Sequence, residues 1–451
     1  MAKKTQRRKS LPTVYPHAAG VDIGSRFHVV AVPGDLAEAP VQTFNSFTGD
    51  LHRLADWLIA VGVTTVAMES TGIYWIPLFE ILQARDLEVL LVNARQVKQV
   101  PGRKTDVNDA QWLQQLHQFG LLRGSFQPAQ EVAALRSYLR HRARLLEYAA
   151  AHIQHMQKAL MQMNLQLHHV LSDITGATGM AILRAIVAGT HDPTELARLR
   201  DFRCKASVET VQAALTGNYQ PEHLFTLRQA LELYDTYQAK MAECDEAIET
   251  TLAGIAPAEA SSDTLPEARH RTRQSNEPKF DVRTALFRVL GIDLTQVHGF
   301  GPNTALRLVG ECGTDMSRWP TAKHFTSWLT LCPGNKISGG KVLSSKSRRS
   351  SNRAAVVLRL AALNVGKTQT ALGAFYRRLA ARAGKAKAVT ATARKLAVLF
   401  YNTLRYGMVY QDQGVAYYEE QHRKRVLKRL RQRAKEMGFQ LTMVEAASGV
   451  S

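Results

Sequence analysis

The chain is poor in the features that mark secreted, zinc-binding and membrane proteins. Its 451 residues include only four cysteines, and no two of them form a Cys-x-x-Cys pair. This spacing argues against a disulfide framework and a zinc site. No apolar run approaches the roughly 20 residues of a membrane-spanning helix, and no apolar stretch follows the basic N-terminal residues to make a signal peptide. We therefore expect a soluble, cytoplasmic protein with reduced thiols and no membrane partner.

Acidic residues are the scarcer charge. The 38 Asp and Glu stand against 58 Lys and Arg, which gives a formal net charge of +20. This excess favours a polyanionic partner, although charge alone does not separate DNA from RNA or from an acidic membrane face. Hydrophobic residues make up 45% of the chain. At this length we expect two or three domains, because one core seldom holds so many residues.

Residues 15–127 are predicted to form the first folded domain. Strand-like and helix-like patterns alternate along it, which is typical of an α/β layer domain. A Gly-Ser-Arg turn at 24–26 and a Pro-Gly-Asp turn at 33–35 join the first strands as an antiparallel meander. The sheet is therefore expected to be mixed, not purely parallel.

The rest of the chain is predicted to contain helical regions joined by a linker. Its expected parts are a basic tail at 1–14, a helical and coiled-coil region at 128–255, a flexible linker with few apolar residues at 256–281, a helical domain at 282–410, and a basic C-terminal helix and tail at 411–451. A 4-3 apolar repeat predicts the coiled coil, and hence a homo-oligomer, dimer or tetramer. Its positions are Leu227, Leu231, Tyr234, Met241, Ile248 and Leu252, with Gln238 and Asp245 in the polar positions.

Two segments have the composition of phosphate-binding elements. A long helix predicted from residue 129 to 163 carries Arg136 and Arg140, which either lie along a phosphate backbone or form a solvated charged face. Gly299 and Gly301 form a tight turn before a helix, and N–H groups exposed there can hold a DNA phosphate, as in helix-hairpin-helix modules. A plain helix cap is the alternative for this turn.

Four carboxylates occur where predicted strands end or helices begin, namely Asp22, Glu69, Asp106 and Asp109. Asp106 and Asp109 share one face of a helix capped by Thr105 or by Asp106 itself. If the strands of Asp22 and Glu69 are neighbours, all four meet at one sheet edge and can bind two Mg²⁺ ions, since clustered acids repel one another without a cation. The alternative is that Asp106 only caps its helix and the other acids are surface charges.

A loop rich in Gly, Ser, Lys and Arg leads into a helix predicted at Ala354, and such a loop is suited to hold phosphate. Ser338 lies in this loop. A nucleophilic serine needs a base or a metal to activate it, and the preceding histidines, His324 and His298, are distant in sequence. Composition alone therefore favours phosphate binding, and a nucleophilic Ser338 would be activated from elsewhere.

The order of these motifs resembles the DEDD transposases of the insertion-sequence family numbered one hundred and ten, and the longer middle region fits its eleven-eleven branch. The resemblance rests on Asp22, Glu69-Ser70-Thr71-Gly72, Lys104-Thr105-Asp106-x-x-Asp109-Ala110, Gly299-Phe300-Gly301 and Pro333 to Gly339. It implies an RNase H-like (RuvC-like) N-terminal domain and a serine-bearing C-terminal domain. It also implies a recombinase guided by a non-coding bridge RNA that pairs with target and donor double-stranded DNA, in association with the bacterial nucleoid.

Carried over to this sequence, the resemblance implies that Asp22, Glu69, Asp106 and Asp109 bind metal and that Ser338 is the nucleophile. Ser338 precedes Gly339, as the serine does in the family. The resemblance further implies a composite site made by both domains, within a chain or between subunits, in which strands are rejoined through a phosphoserine intermediate.

The expected nucleic-acid contacts are basic and loop residues around these motifs: Arg103, Lys104, Thr105, Arg136, Arg140, Gly299, Gly301, Gly339, Lys341, Lys346, Arg348, Arg349 and Arg353. Two other functions stay open, a RuvC-like nuclease in which water attacks the phosphate, and a non-catalytic nucleic-acid scaffold with structural carboxylates. The Gly20-x-Asp22-x-Gly24 sequence also resembles the first phosphate loop of sugar-kinase and actin-like ATPases, but a convincing second Asp-x-Gly loop is missing.

Overall fold

The computed structural model describes residues 12–70, 72–93, 106–257, 264–269, 276–348 and 351–442, with the backbone alone for 106–108. The chain divides into two units between Gln127 and Pro128. The first unit contains a five-stranded sheet, and the described part of the second is helical apart from one small hairpin. None of the described helices is both long and apolar enough to cross a membrane.

The sheet of the first unit is mixed, as predicted. Its strands are β1 (Ala18–Ile23), β2 (Phe27–Ala31), β3 (Val41–Asn45), β4 (Thr65–Glu69) and β5 (Glu88–Val92). They lie in the order β3-β2-β1-β4-β5. The first three are antiparallel neighbours, whereas β1, β4 and β5 run parallel. The carboxyl ends of β1, β4 and β5 therefore meet at the same edge.

Two helices cover one face of this sheet, α1 (Thr48–Ala60) and α2 (Trp75–Gln83). In α1 the buried residues Leu51, Leu54, Ala55 and Leu58 recur at the spacing that places them on one helical stripe. This stripe packs with the strand residues of alternate positions, such as Val21 and Met68, in one apolar core. The positions between them point to the opposite face.

A third helix, α3 (Asp106–Gln118), crosses that opposite face. It lies so close to β1 that a Cβ added at Gly20 would stand 2.5 Å from the carbonyl oxygen of Ala110 and 2.3 Å from the backbone nitrogen of Gln114. Near its other end, His117 Nε2 and Thr65 Oγ1 are 2.9 Å apart in a buried hydrogen bond. Because Thr65 begins β4, the first turn of α3 lies towards the carboxyl ends of the strands.

The second unit is built from thirteen described helices and the hairpin of β6 (Lys336–Ser338) and β7 (Lys341–Ser344). The helices are α4 (Gln130–Gln162), α5 (Leu167–Val170), α6 (Ala177–Val187), α7 (Pro193–Arg198), α8 (Val208–Leu215), α9 (Pro221–Gly254), α10 (Val282–Leu290), α11 (Pro302–Cys312), α12 (Ala322–Trp328), α13 (Arg353–Val365), α14 (Ala371–Ala383), α15 (Lys385–Tyr406) and α16 (Gly414–Glu436). A short 3-10 helix spans Leu294–Gln296.

The two longest helices, α4 and α9, pack side by side in antiparallel directions. Met156 near the end of α4 shares a core with Leu227 near the start of α9, and Leu145 packs with Met241 farther along the pair. The predicted 4-3 stripe of α9 is thus buried within its own chain. A heptad pattern indicates that a helix packs along a seam but does not say which helix is the partner. The stripe consequently gives no support for an oligomer.

A polar position of the repeat contains a buried ion pair. The guanidinium of Arg142 in α4 donates to Asp245 in α9 at 2.5 Å, and both side chains are about nine-tenths buried. Described residues of the predicted linker join this pair, since the Lys279 N–H donates to Asp245 at 3.1 Å and the Asn276 carbonyl accepts from Arg142 at 3.1 Å. The end of that segment is therefore anchored to the helix pair.

Candidate active site and nucleic-acid contacts

Asp22 and Glu69 occupy equivalent positions on neighbouring parallel strands. Val21 pairs with Met68 in the register of β1 and β4, and each acid is the next residue of its strand. Side chains at paired positions of parallel strands point to the same face. Since Val21 and Met68 point towards α1 and α2, both acids point to the face that α3 crosses.

Asp109 is brought to the same end and face of the sheet by α3. Its neighbour Ala110 is fully buried against β2, in a cluster with Val29 and Ala31, and its carbonyl abuts Gly20. Asp22 lies two residues beyond Gly20 in the direction of the strand ends, and Asp109 lies in the first helical turn. The structure therefore brings three of the four predicted acids to one region.

The fourth acid, Asp106, is the first residue of α3, and its side chain lies outside the described residues. Arg103, Lys104 and Thr105, predicted to contact nucleic acid, also lie outside them. Among the side chains that are described, no three His, Cys, Asp or Glu residues form a group that could hold a metal ion. Carboxylate oxygens are the donors that Mg²⁺ prefers, so the chemistry of the acids fits this ion.

Gly20, which the sequence suggests only as part of a phosphate loop, is where β1 and α3 approach most closely. Any larger side chain would displace α3, because the atoms that a Cβ would meet belong to the helix backbone. The displacement would move Asp109 away from Asp22 and Glu69. A glycine inside an otherwise regular strand is the sequence signal for such a close approach of backbones.

Ser338 ends the first strand of the β6–β7 hairpin and pairs with Lys341. The segment that was predicted as a phosphate-binding loop forms this hairpin before the helix begins at Arg353. Gly339 and Gly340 form its two-residue turn with φ values of +54° and +75°, which favour glycine. Ser338 is exposed, and its side chain makes no hydrogen bond to another side chain among the described residues. Its hydroxyl is accessible, and no base is hydrogen-bonded to it among the side chains that the structure describes.

The basic residues around the hairpin are exposed, as a phosphate-binding surface requires. They include Lys341, Lys346, Arg348 and Arg353, whereas Arg349 lies outside the described residues. The backbone of this segment is tied together, since the Gly334 N–H donates to the Lys346 carbonyl at 3.0 Å. Asn352 caps α13 by accepting from the Ala355 N–H at 3.1 Å. Phosphate binding by these residues stays a prediction.

Gly299 and Gly301 have separate structural roles. Gly299 adopts a φ of +93°, and a Cβ there would lie 2.4 Å from Cγ2 of Val365 in α13. Gly301 is the N-cap of α11, which begins with Pro302. Backbone conformation and close packing therefore account for Gly299 without a ligand, whereas Gly301 has a φ of −82° that other residues also adopt. A helix-hairpin-helix role and a phosphate contact at this turn stay predictions.

Arg136 and Arg140 are engaged inside the second unit. Arg136 donates to the carbonyls of Gly310 and Glu311 at 3.0 and 2.9 Å, which are C-terminal carbonyls of α11. Arg140 donates to both carboxylate oxygens of Glu311 at 2.9 and 2.7 Å. The Arg136 guanidinium thereby joins α4 to α11, and its contact with nucleic acid stays a prediction. Arg140 is half exposed, but its guanidinium fork is occupied by Glu311.

The fold of the first unit and the position of its acids indicate a class of protein. The mixed five-stranded sheet, with acids at the carboxyl ends of adjacent strands and a helix across them, is consistent with an RNase H-like domain. Residues 19–165 match the DEDD transposase family of IS110, and residues 293–377 match the transposase IS116/IS110/IS902 family. Together they cover about half of the chain, which belongs to the IS110 family of transposases. No curated protein gives a significant match.

Proposed function

We propose that this transposase cuts and rejoins DNA strands with a Mg²⁺-binding DEDD site and Ser338 as its nucleophile. The observation that carries the proposal is the placement of Asp22, Glu69 and Asp109 at one end and one face of the sheet. Carboxylate oxygens are the ligands that Mg²⁺ prefers, which supports the proposal of a metal site at this end of the sheet. The double-stranded DNA of the donor and the target is the proposed substrate.

The four acids have the proposed role of holding two metal ions. Asp22 and Glu69 are carried by strands with a buried core, and Asp106 and Asp109 by the helix that crosses them. Bound Mg²⁺ supplies charge stabilisation for the phosphate oxygens of the scissile bond. The protein contributes the fixed spacing of its carboxylates, which the packing of α3 on Gly20 sets.

Ser338 supplies the proposed covalent step. Its Oγ forms a bond to phosphorus, the bond from phosphorus to the sugar oxygen breaks, and that oxygen leaves with a proton as a hydroxyl. The hydroxyl proton of the serine passes to solvent or to a base outside the hairpin. A sugar hydroxyl then attacks the phosphoserine and releases Ser338, so that strands rejoin without an external energy source.

A guide RNA and an oligomer complete the proposal. The net charge of +20 favours polyanionic partners in general, and the family resemblance makes a pairing RNA the specific expectation. A dimer or tetramer would provide the several serines that exchange of several strands requires. We expect target choice to depend on the RNA sequence; strand exchange by RNA-free protein with the same targets would refute the guide.

Denaturing gels of labelled DNA incubated with protein, RNA and Mg²⁺ test the nucleophile. The parent protein is expected to form a covalent protein–DNA adduct, and Ser338→Ala is expected to bind DNA and RNA normally without forming one. Ser344→Ala, in the same hairpin, is the matched control and should keep the adduct with only modestly weaker binding. An adduct that persists in Ser338→Ala contradicts the proposal.

A hydrolytic nuclease is the second candidate function. It is favoured by the exposed hydroxyl of Ser338, which has no hydrogen-bonded base among the described residues. In that case water attacks the phosphate, and the hairpin only binds the DNA. Cleavage without any adduct in the parent protein would support this candidate.

A further inference from the structure

Three helices near the C-terminus enclose a large groove that no sequence motif marks. It lies between α14, α15 and α16 and has a volume of about 1610 Å³. Sites for small molecules usually have volumes of about 300–1,000 Å³. Most of its walls lie beyond the residues that match the transposase family. Its size fits a segment of a polymer better than a small ligand.

Cations from all three helices line the groove, and together they are called its basic rim. They include Arg378 and Arg382 of α14, Arg394 and Lys395 of α15, and Arg425 and Arg429 of α16. The two acids of the groove have partners already. Glu419 pairs with Arg378, and Asp412 accepts from the Ala371 N–H at 3.1 Å. The rim therefore has an uncompensated positive charge, and most of its cations are arginines, which bind phosphate in a bidentate manner.

The cations are close enough to disfavour one another's charge. The pKa of Lys395 is lowered, first by loss of solvent and then by repulsion from Arg425 and Arg394. The pKa of His422, inside the groove, is lowered by loss of solvent and then by Arg378 and Arg425, while Glu419 opposes the shift. Binding of an anion would relieve this repulsion.

The floor of the groove is apolar and aromatic. Phe375 and Tyr418 are in edge-to-face contact with ring centroids 6.3 Å apart, and the Lys395 ammonium lies 4.8 Å from the centre of the Phe375 ring. Tyr417, at the groove wall, is 44% exposed. Aromatic rings of this kind stack with the bases of an unpaired strand, whereas a duplex keeps its bases stacked inside.

We propose that the groove between α14, α15 and α16 binds an unpaired strand of nucleic acid, with its phosphates on the basic rim and its bases against the aromatic floor. The proposal rests on the proposed function only in that the protein acts on nucleic acid. It assigns binding to one side of α16, where the sequence indicates only a basic helix. Arg423 and Arg431 lie on the same helix and do not line the groove.

Fluorescence anisotropy of the full-length protein tests the groove. The probes are labelled single strands of about 20 nucleotides, one of DNA and one of RNA with the same sequence, and the corresponding DNA duplex. All proteins carry Asp109→Asn and are measured in EDTA, so that the result does not depend on the metal site, on Ser338 or on cleavage. Failure of the adduct experiment and failure of this one are thus separate outcomes.

The decisive variant is Arg425→Gln with Arg429→Gln, and its matched control is Arg423→Gln with Arg431→Gln. The groove variant should lose about 30-fold or more of its single-strand affinity at about 0.15 M salt, since hydrogen bonds between charged groups are strong. Its slope of log Kd against log salt should fall by about 1.4, because each phosphate contact on a single strand contributes about 0.7. The control should change affinity less than about threefold.

Tyr417→Ala is the second variant and tests stacking. It should weaken single-strand binding about tenfold, with an unchanged salt slope and little effect on the duplex. The parent's preference between the RNA and DNA strands shows which sugar the groove accepts. Equal losses in the groove and control variants, or equal losses for duplex and single strand, would overturn the proposal.

Discussion

The carboxylates and the serine of this transposase are held in opposite ways. Asp22 and Glu69 extend from strands whose neighbouring residues, Val21 and Met68, are completely buried, and α3 is fixed over them by backbone contact at Gly20. Ser338 stands on a two-stranded hairpin in which every residue of β6 is exposed. A metal site needs several ligands at fixed spacing, whereas a nucleophile has to reach its substrate. The packing of each region suits its proposed chemistry.

The largest effect on strand cleavage is expected from a change to one of the acids on the sheet. Asp22→Asn should slow strand cleavage about 1,000-fold or more, because the proposed metal site loses a ligand and a bound ion would contribute several kcal/mol to the transition state. Nucleic-acid binding should remain, since the basic surface is unchanged. Cleavage assays over a range of Mg²⁺ concentrations measure the effect, with exposed Asp35→Asn as the control. Parent-like cleavage in Asp22→Asn, or cleavage in EDTA, would refute the metal site.

In the second unit, the largest effect on stability is expected at the buried ion pair. Asp245→Ala leaves Arg142 buried without its charged partner and should lower the free energy of unfolding by about 3–5 kcal/mol. Asp235→Ala removes an exposed pair with Arg184 and should cost about 1 kcal/mol or less. Denaturant unfolding of the full chain compares the two variants. Equal losses of unfolding free energy in the two variants would contradict the prediction that burial makes the Arg142–Asp245 pair more important for stability.

Gly20→Ala links packing to catalysis and should have a smaller effect on stability. The added methyl group would meet the α3 backbone, and such overpacking costs about 1–3 kcal/mol. Cleavage should fall more than stability suggests, because α3 carries Asp106 and Asp109. Gly34→Ala, with nothing within 4 Å of the added Cβ, is the control. Full cleavage activity in a destabilised Gly20→Ala variant would contradict the prediction that cleavage depends on the position of α3.

A pH effect is expected at the opposite end of α3. Burial lowers the pKa of His117 from 6.5 to about 4, and the ring stacks on Tyr15. The unfolded chain therefore takes up a proton at higher pH than the folded chain, so stability is lost as pH falls from 6.5 towards 4. The loss should be about 1 kcal/mol by pH 5.5. Hydrogen exchange in β1 measures it, and His117→Gln should lack this contribution.

The smallest effect is expected in the hairpin. Gly340→Ala places a side chain at φ +75°, which costs about 1 kcal/mol. Since the hairpin is exposed, global unfolding should not change, but adduct formation should fall about fivefold because the strand that carries Ser338 is less often formed. Gly254→Ala, where an added Cβ meets no atom within 4 Å, is the control. A large fall in the melting temperature of Gly340→Ala would contradict the prediction that the hairpin does not contribute to global stability.

Much of the first unit was predictable because its signals are local. Strand alternation and turn residues predict the mixed sheet, and the three-residue spacing of Asp106 and Asp109 predicts that both lie on one helix. Whether Asp22 and Glu69 lie on neighbouring strands depends on the strand order, which the sequence did not determine. The loop predicted around Ser338 did not include the hairpin, since two adjacent glycines in a polar segment are typical of a loop as well as of a hairpin turn.

The sequence by itself determined the elements, the motifs and the family, because hydrophobic periodicity and turn residues act over short distances along the chain. The tertiary structure alone decided the partners. It buried the repeat of α9 against α4, used Arg136 to join α4 to α11, and gathered cations from three helices around one groove. The physical reason is that the pattern of apolar and charged side chains on a helix or strand determines only the kind of surface that can pack against it. Which neighbour it meets depends on how distant segments pack together.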